Sequence, residues 1–151
     1  MDIEEFLRQA KIPYEKKHHP AAYTAQEVAA SAHVPGDMLA KTVVVRAGDG
    51  YALAVCPATH LVDLKKLSKV VGAEVRLANE GEMENLFEDA ELGAAPPFGN
   101  LYGLATYVDE SLSESKHIVF QAGTHEDTIK VSYEDYRKAV EPKVADFTGH
   151  V

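Results

Sequence analysis

The chain has 151 residues, of which 46% are hydrophobic and 26% charged, and this size and composition predict one globular domain over residues 1–151. A single cysteine excludes an intramolecular disulfide framework and favours a reducing, cytoplasmic location, while no run of 18 apolar residues offers a transmembrane helix. The formal net charge of −9 argues against a protein that coats DNA or long RNA.

The first half of the sequence predicts three helices and four strands. Helices are predicted where apolar residues recur at helical spacing next to capping residues, over residues 3–11, 24–33 and 63–72. Strands are predicted where β-branched and aromatic residues lie between turn signals, over residues 14–19, 39–46, 51–56 and 73–77. The turn Gly48-Asp49-Gly50 joins two of these strands in a hairpin. The third helix is expected to bury one apolar face, made of Leu64, Leu67, Val70 and Val71.

The second half continues the alternation. Asn79 and Glu82 have the spacing of a capping box for a helix whose apolar stripe we expect in the core, namely Met83, Leu86, Phe87 and Ala90. Residues 92–100 form a loop, and strands are predicted over 101–108, 117–122 and 128–131. Ser132 with Asp135 caps a last helix over 133–140, and the tail after Pro142 is expected to be loose.

These elements predict an α+β fold class. Six or seven short strands alternate with four or five helices and are joined by both hairpins and helices, which favours a single compact domain with a mixed sheet. The pattern is too irregular for a doubly wound parallel fold. The sequence contains no internal repeat and no linker.

Several motif classes are missing. There is no Walker phosphate loop, no G-x-G-x-x-G and no G-x-S-x-G nucleophile elbow. The seven histidines show neither H-x-x-x-H nor H-E-x-x-H spacing, which leaves only a metal site assembled from distant parts of the chain. No metal and no cofactor are therefore expected. Cys56 follows the apolar run 52–55, which favours a buried thiol over a nucleophile.

Three features could carry chemistry, and each has a simpler interpretation. Lys41 interrupts an apolar strand, so its amine either extends to solvent or is held in a cleft to meet an anion such as phosphate. The Gly- and Pro-rich loop 93–100 is either a plain connection or a backbone whose N–H groups stabilise an oxyanion. His125 ends a strand, where it is either merely exposed or positions a hydroxyl or a water.

Taken in order, four segments resemble the YbaK/prolyl-tRNA-editing-domain family. They are HPAAYTAQE at 19–27, AKTVVV at 40–45, GAAPPFG at 93–99 and QAGTH at 121–125. The resemblance covers residues from about 14 to 140, and its most specific pair is a lysine on a strand followed by a G-x-x-P loop. It implies a mixed β-sheet or barrel-like core surrounded by helices. It also implies hydrolysis of the ester bond of mischarged aminoacyl-tRNA, which some freestanding members carry out in trans.

The resemblance also implies site residues by position. Lys41 matches the functional lysine of the family, and His125 matches a histidine that some members use near the substrate ribose. Thr42 is expected to act beside them, although alanine-specific members tend to have Asn at that position. The substrate-binding residues are expected to come from the G-x-x-P loop and the 19–27 segment: Gly93, Ala94, Ala95, Pro96, Gly99 and Tyr23.

Together with these residues, the resemblance implies a metal-independent aminoacyl-tRNA deacylase that acts in trans on a small amino acid, in editing of the tRNA-Pro type. Its expected partners are the acceptor end of aminoacyl-tRNA and an aminoacyl-tRNA synthetase, with no membrane and no DNA. Two other classes stay open at this point. One is a non-catalytic module that binds a tRNA end or a synthetase, and the other is a metallohydrolase.

The charge is divided unequally along the chain. Residues 1–75 carry nine basic and nine acidic residues, whereas residues 76–151 carry six and fifteen. A contact with tRNA is therefore expected in the first half, where Lys65, Lys66 and Lys69 on one helix face either meet backbone phosphates or are simply solvated. The acidic run 80–91 is interpreted as a solvated helix face.

Overall fold

The computed structural model describes residues 2–150 and the side chains of residues 2–149, so Met1 and Val151 lie outside the described residues. Over this range the chain forms six α-helices and ten strands in three sheets, of which the largest is mixed. The predicted α+β fold class is therefore confirmed. None of the described helices is long and apolar enough to span a membrane.

The six helices are short. They are α1 Ile3–Gln9, α2 Ala25–Ser31, α3 Leu64–Val71, α4 Glu80–Leu86, α5 Glu110–Ser113 and α6 Tyr133–Val140. Side-chain caps fix where they begin, because the first backbone N–H groups of a helix have no partner within it. Thr24 Oγ1 accepts a hydrogen bond from the Glu27 N–H at 3.1 Å before α2. Asn79 and Glu82 form the reciprocal capping box predicted for α4.

The ten strands form three sheets. They are β1 Glu15–His18, β2 Ala40–Ala47, β3 Gly50–Pro57, β4 His60–Val62, β5 Val75–Leu77, β6 Ala105–Asp109, β7 His117–Gln121, β8 Asp127–Ser132, β9 Lys143–Ala145 and β10 Thr148–His150. The largest sheet has the order β5-β2-β3-β6-β9, in which β6 is parallel to both of its neighbours. The other sheets have the orders β1-β8-β7 and β10-β4.

Strand β2 separates two packed regions. Ala40 and Val44 pack in the larger core, which is rich in aromatic rings, whereas Val43 and Val45 pack on the other face of the sheet. The pairing of β2 with β3 runs residue by residue without a bulge. Side chains therefore alternate throughout β2, and Lys41 and its neighbour Thr42 point to opposite faces.

A single bridge joins the sheets beside the start of β2. Leu39 and Val119 form a parallel bridge, and both side chains are buried in a cluster with Ala22. Continuing this register by two residues places Lys41 level with Gln121, at the end of β7. The turn after β7 thus lies close to the start of β2, although about eighty residues separate them in sequence.

The tail after Pro142 is ordered, so the prediction of a loose tail was wrong. β9 pairs with β6, and β10 pairs with β4. Phe147, between these strands, is fully buried, and its backbone N–H donates to the Asp109 carboxylate at 2.9 Å. Three-residue strands carry almost no periodic signal, and their partners lie far away in sequence.

Other boundaries differ for local reasons. The strand predicted from residue 101 begins only at Ala105, because residues 99–101 form a 3-10 turn and the N–H of Leu104 bonds back to Gly99 O. β4 and α5, with three and four residues, were not predicted. Helix α2 ends at Ser31 instead of near His33. Val70, predicted to point inward, is exposed on α3, while Leu67 is fully buried.

Candidate active site

A cleft of about 180 Å³ opens between β2 and α4. Thr42 and Val44 of β2 line one side, and Met83 and Phe87 line the other. The segment 91–99, here called the rim loop, closes the cleft through Glu91, Leu92, Gly93 and Ala95. The sequence-predicted residues Thr42, Gly93 and Ala95 are therefore brought together in one cavity.

The apolar stripe of α4 contributes to the core, as predicted, and to the cleft as well. Phe87 is buried and packs edge-on against Tyr102, with ring centroids 4.6 Å apart. Leu86 packs against the core, whereas Met83 and Ala90 contact the core and also face the cavity. The stripe therefore gives the cleft an apolar wall.

Carboxylates line the same cavity. Glu84 and Glu88 are exposed on α4 and the turn after it, and neither has a hydrogen-bond or ion-pair partner among residues 2–150. The acidic run interpreted as a solvated face is thus both solvated and part of the cleft. A negative wall disfavours phosphate inside the cavity and tolerates a cation there.

The N-terminal end of α4 is fixed by several polar contacts at Glu82. Its carboxylate accepts hydrogen bonds from both terminal nitrogens of Arg76, at 2.8 and 3.0 Å, and from the Tyr51 hydroxyl. Together with the Asn79 backbone N–H, these bonds lower the pKa of Glu82 to about 2. The helix that walls the cleft is therefore tied to β3 and β5.

Three residues of the rim loop, Leu92, Gly93 and Ala95, each leave a backbone N–H donor unused among the described residues. Ala94 N–H donates to Glu91 O at 2.9 Å, Phe98 N–H to Pro96 O at 2.8 Å, and prolines 96 and 97 have no N–H. Among the residues that the structure describes, no acceptor pairs with the N–H of Gly93 or of Ala95. Both residues line the cleft, so these two donors are available to a ligand oxygen.

The rest of the predicted loop residues lie behind this rim. Ala94, Pro96 and Gly99 are buried, and none of them lines the cleft. Gly99 is required by close packing, since a Cβ there would lie 2.3 Å from Thr106 Oγ1 and 2.5 Å from Leu104 O. These three residues therefore support the loop from behind, and only Gly93 and Ala95 of the predicted loop residues line the cavity.

His125 fastens the turn after β7 to the rim loop. Because a carbonyl oxygen only accepts, His125 Nε2 donates to Leu92 O, at 2.8 Å. Its Nδ1 lies 3.4 Å from the Gln121 amide nitrogen, and its backbone N–H donates to the Glu91 carboxylate at 2.7 Å. Two backbone bonds between Gly123 and the rim loop, at 2.8 and 2.9 Å, complete the attachment. His125 thus borders the cleft without lining it.

Tyr23 lies on the outer side of His125. The two rings are tilted by 47° with centroids 4.7 Å apart, and Tyr23 is 70% exposed. The segment before it is held to the same turn, since Ala22 N–H donates to His125 O at 3.2 Å. Tyr23 and His125, predicted separately, therefore form one contact pair.

Lys41 lies outside the cleft, on the other face of β2. It is half-buried, and among the described residues no carboxylate lies within 4.0 Å of its amine. It is paired in register with Cys56. A half-buried cation without a carboxylate partner is costly unless an anionic ligand completes it, which favours the anion-binding interpretation over plain exposure.

Cys56 is fully buried, as predicted for a structural thiol. Burial raises the pKa of Cys56 to about 12, and the nearby charge of Lys41 only partly opposes this. The thiol therefore stays protonated near neutral pH. Over residues 2–150 no three His, Cys, Asp or Glu side chains converge as a metal site.

The three lysines of α3 lie away from the cleft. Leu67 of this helix packs on the face of the sheet that carries Val45, opposite to Val44 and the cavity. Lys65, Lys66 and Lys69 are exposed, and Lys66 contacts Asp146 at 3.5 Å. The structure does not bring these lysines together with the other predicted site residues.

One family profile shows to which protein family the chain belongs. The profile of the aminoacyl-tRNA editing domain matches residues 19–139, which include the cleft, the rim loop and the Tyr23–His125 pair. The chain belongs to the aminoacyl-tRNA editing domain family. The resemblance noted from four short segments is thereby confirmed. A search of curated protein sequences finds no match.

Solved structures show how widely this editing-domain fold is shared. A protein provisionally assigned as a trans-editing enzyme for prolyl-tRNA synthetase is similar with a TM-score of 0.87 and 23% identity, over 97% of this chain and 94% of that one. The hypothetical protein APE2540 gives 0.88 and 22% over 97% and 99%. A scaffold structure from computational epitope grafting gives 0.81 and 21% over 91% and 88%. At these identities the likeness shows the fold alone.

Sequence reasoning did not single out Gln121, Glu84 or Glu88 as site residues. Gln121 contacts the His125 ring, and the two carboxylates face the cleft. The sequence did contain a signal for the carboxylates. Glu84 and Glu88 directly follow Met83 and Phe87 of the apolar stripe, so they lie next to that stripe in the predicted helix. Gln121 opens the QAGTH segment of the resemblance, but its contact with His125 depends on the shape of the turn after β7 and was not predicted.

Proposed function

We propose that this protein is an aminoacyl-tRNA deacylase that acts in trans and removes a small amino acid by hydrolysing its ester bond. The observation that carries the proposal is the pair of unused N–H donors of Gly93 and Ala95, in a cleft that also contains Thr42. Two donors aimed at one carbonyl oxygen stabilise the oxyanion of ester hydrolysis. Membership of an aminoacyl-tRNA editing family supports this assignment.

The chemistry asks for little beyond positioning. A water oxygen adds to the ester carbonyl carbon, and the carbonyl oxygen becomes an oxyanion. The C=O bond then re-forms, the bond to the ribose oxygen breaks, and that oxygen takes up the proton that the water gives up. Gly93 and Ala95 would bind the oxyanion, and the Thr42 hydroxyl would hydrogen-bond the water or the ribose hydroxyl. Because an aminoacyl ester is already activated, no side-chain nucleophile and no metal are required in this proposal.

Charge favours one orientation of the substrate. The α-ammonium of an aminoacyl ester is compatible with the cleft wall that contains Glu84 and Glu88, whereas a phosphate is not. Phosphates of the acceptor strand would instead meet Lys41, on the other face of β2. His125, which holds the rim loop, would lie beside the terminal ribose. Small rim residues, Gly93 and Ala95, suit selection by exclusion of larger side chains.

The physiological setting is proposed from the same considerations. We infer that the substrate is a mischarged tRNA of the prolyl type, met in the cytoplasm and delivered alone or by a synthetase. A solved neighbour provisionally assigned to trans-editing for prolyl-tRNA synthetase supports this choice.

The test is a deacylation panel. Purified protein is mixed with tRNAs that carry different amino acids, and ester hydrolysis is followed with time. We expect hydrolysis for small amino acids on tRNA-Pro, unaffected by a chelator. Binding of the same tRNAs without hydrolysis of any of them would contradict the proposal and favour a non-catalytic binding module, and loss of activity in chelator would favour a metallohydrolase.

A further inference from the structure

The outer face of the site carries an exposed aromatic ring whose function the cleft does not explain. Tyr23 is 70% exposed, the largest exposed fraction among the large apolar side chains of the described residues. One face of its ring contacts His125, at a centroid distance of 4.7 Å, so the remaining ring surface is open. A tyrosine held in this way presents a flat apolar surface to solvent.

The ring is fixed before any ligand arrives. His19 N–H donates to Glu126 O at 2.7 Å and Ala22 N–H donates to His125 O at 3.2 Å, which ties the chain before Tyr23 to the turn after β7. Immediately after Tyr23, Thr24 caps α2. Both sides of the residue are thus anchored, and little conformational entropy would be lost on binding.

The ring is connected to the cleft through His125. His125, which it contacts, donates to Leu92 O, and Leu92 lines the cavity. A ligand whose ester enters the cleft would extend past His125 and reach Tyr23 with its next chemical group. In an aminoacyl-tRNA that group is the terminal nucleoside.

We propose that Tyr23, supported by His125, is the stacking platform for the terminal nucleobase of the tRNA acceptor strand. The inference rests on the proposed function and adds a binding site for the base to the site for the ester. Single-stranded bases are commonly bound by stacking on aromatic side chains, and such stacking depends little on base identity. The neutral base is also compatible with the acidic residues of this region, where a phosphate would be repelled.

The surroundings disfavour a protein partner at this ring. Other exposed large apolar residues include Leu61, Leu77 and Val144, which lie on β4, β5 and β9, whereas Tyr23 lies in the segment before α2. A stable protein interface requires roughly 1,200 Å² or more of buried surface, which one ring beside Leu92 does not supply. A single planar ligand fits this geometry better.

A binding experiment tests the platform without requiring hydrolysis. An uncharged acceptor-stem RNA with 2-aminopurine as its 3′-terminal base is titrated with protein, and quenching of its fluorescence reports stacking. We expect quenching by the wild type, Tyr23→Phe and Tyr23→Trp. Tyr23→Ala should abolish quenching and weaken binding by roughly 5- to 150-fold. Leu61→Ala, which removes another exposed side chain, should leave both unchanged.

A second measurement separates stacking from support of His125. Hydrolysis is compared for an aminoacyl ester of adenosine and for the same ester on a ribose without a base. Stacking predicts that Tyr23→Ala lowers kcat/KM only for the adenosine ester. Equal losses on both esters, or unchanged quenching in Tyr23→Ala, would overturn the platform. If the wild type quenches but hydrolyses no ester, the proposed function fails and the platform stands.

Discussion

The two faces of the five-stranded sheet differ in how their polar groups are satisfied. On the cleft face, the N–H groups of Gly93 and Ala95 have no partner in the part of the chain that the structure describes. On the opposite face, the buried Asp109 carboxylate accepts bonds from Phe147 N–H at 2.9 Å and from Ser111 N–H at 3.2 Å. The difference indicates that the opposite face stabilises the fold, while the cleft face keeps donors free for a ligand.

Asp109 illustrates how a buried polar group on the opposite face is fully hydrogen-bonded. Burial alone would raise its pKa, but hydrogen bonds from Ser111, Phe147 and Thr148 outweigh burial and keep the pKa of Asp109 below its ordinary value. Lys41 departs from this pattern, since it is half-buried without a carboxylate partner among the described residues. On the face opposite the cleft, Lys41 is therefore the residue that we expect to bind a ligand.

The largest effect should come from the opposite face and concern stability alone. Phe147→Ala removes a fully buried ring and should lower the free energy of unfolding by about 3–5 kcal/mol, measured by urea titration. Deacylation per folded molecule, measured well below the melting temperature, should stay within twofold of the wild type. Val144→Ala, at a 45% exposed position of β9, is the matched control and should change neither quantity. A large loss of kcat in a folded Phe147→Ala protein would show that the opposite face also contributes to catalysis.

Lys41→Ala should show the reverse behaviour. A hydrogen bond to a charged group contributes about 1.5–3 kcal/mol, so we expect a roughly 10- to 150-fold loss of kcat/KM with a shift in unfolding free energy below about 0.5 kcal/mol. Lys41→Arg keeps the charge and should recover part of the activity. Equal hydrolysis by wild type and Lys41→Ala would remove Lys41 from the site.

Acid should loosen the cleft wall through Glu82. Its folded-state pKa of about 2 lies below its ordinary value of 4.5, so its stabilising contribution is complete above about pH 4.5 and is lost as the pH falls toward 2. Glu82→Gln retains a capping side chain for α4 but cannot titrate. Unfolding midpoints measured between pH 5 and 2 should therefore fall more steeply for the wild type. Parallel curves for the two proteins would show that Glu82 does not contribute in this way.

The smallest effect is expected on α3, far from the cavity. If Lys65 and Lys69 contact backbone phosphates of the acceptor stem and are not simply solvated, reversing both to Glu should weaken tRNA binding and flatten its dependence on salt. Hydrolysis of a short aminoacyl-adenosine ester should not change, because such a substrate does not reach α3. An unaltered salt slope would exclude these lysines from the contact surface.

Sequence patterns predicted the parts of the fold that local chemistry determines. The Asn79–Glu82 capping box, the hairpin of β2 and β3 and the buried Cys56 all follow from neighbouring residues, and all are confirmed. β9 and β10 were missed because three-residue strands depend on partners far away in sequence, here β6 and β4.

The candidate site was predicted by residue but not by arrangement. Thr42 and Gly93 do meet in one cleft, yet adjacent residues of a strand point to opposite faces, so Lys41 lies on the other side of β2. His125 donates a hydrogen bond to Leu92 O. This bond depends on the fold of the turn after β7, which residue types alone do not specify. The sequence therefore suggests candidate residues, and the structure shows which of them lie together.

The proposed function depends above all on binding of an aminoacyl ester through the free N–H groups of the rim loop. Its most direct test is an NMR titration of ¹⁵N-labelled protein with a non-hydrolysable aminoacyl-adenosine in which an amide replaces the ester. We expect the largest backbone amide shifts at Gly93 and Ala95, with smaller ones at Thr42. Shifts confined to α3 and β10, with the amides of Gly93 and Ala95 unmoved, would contradict it.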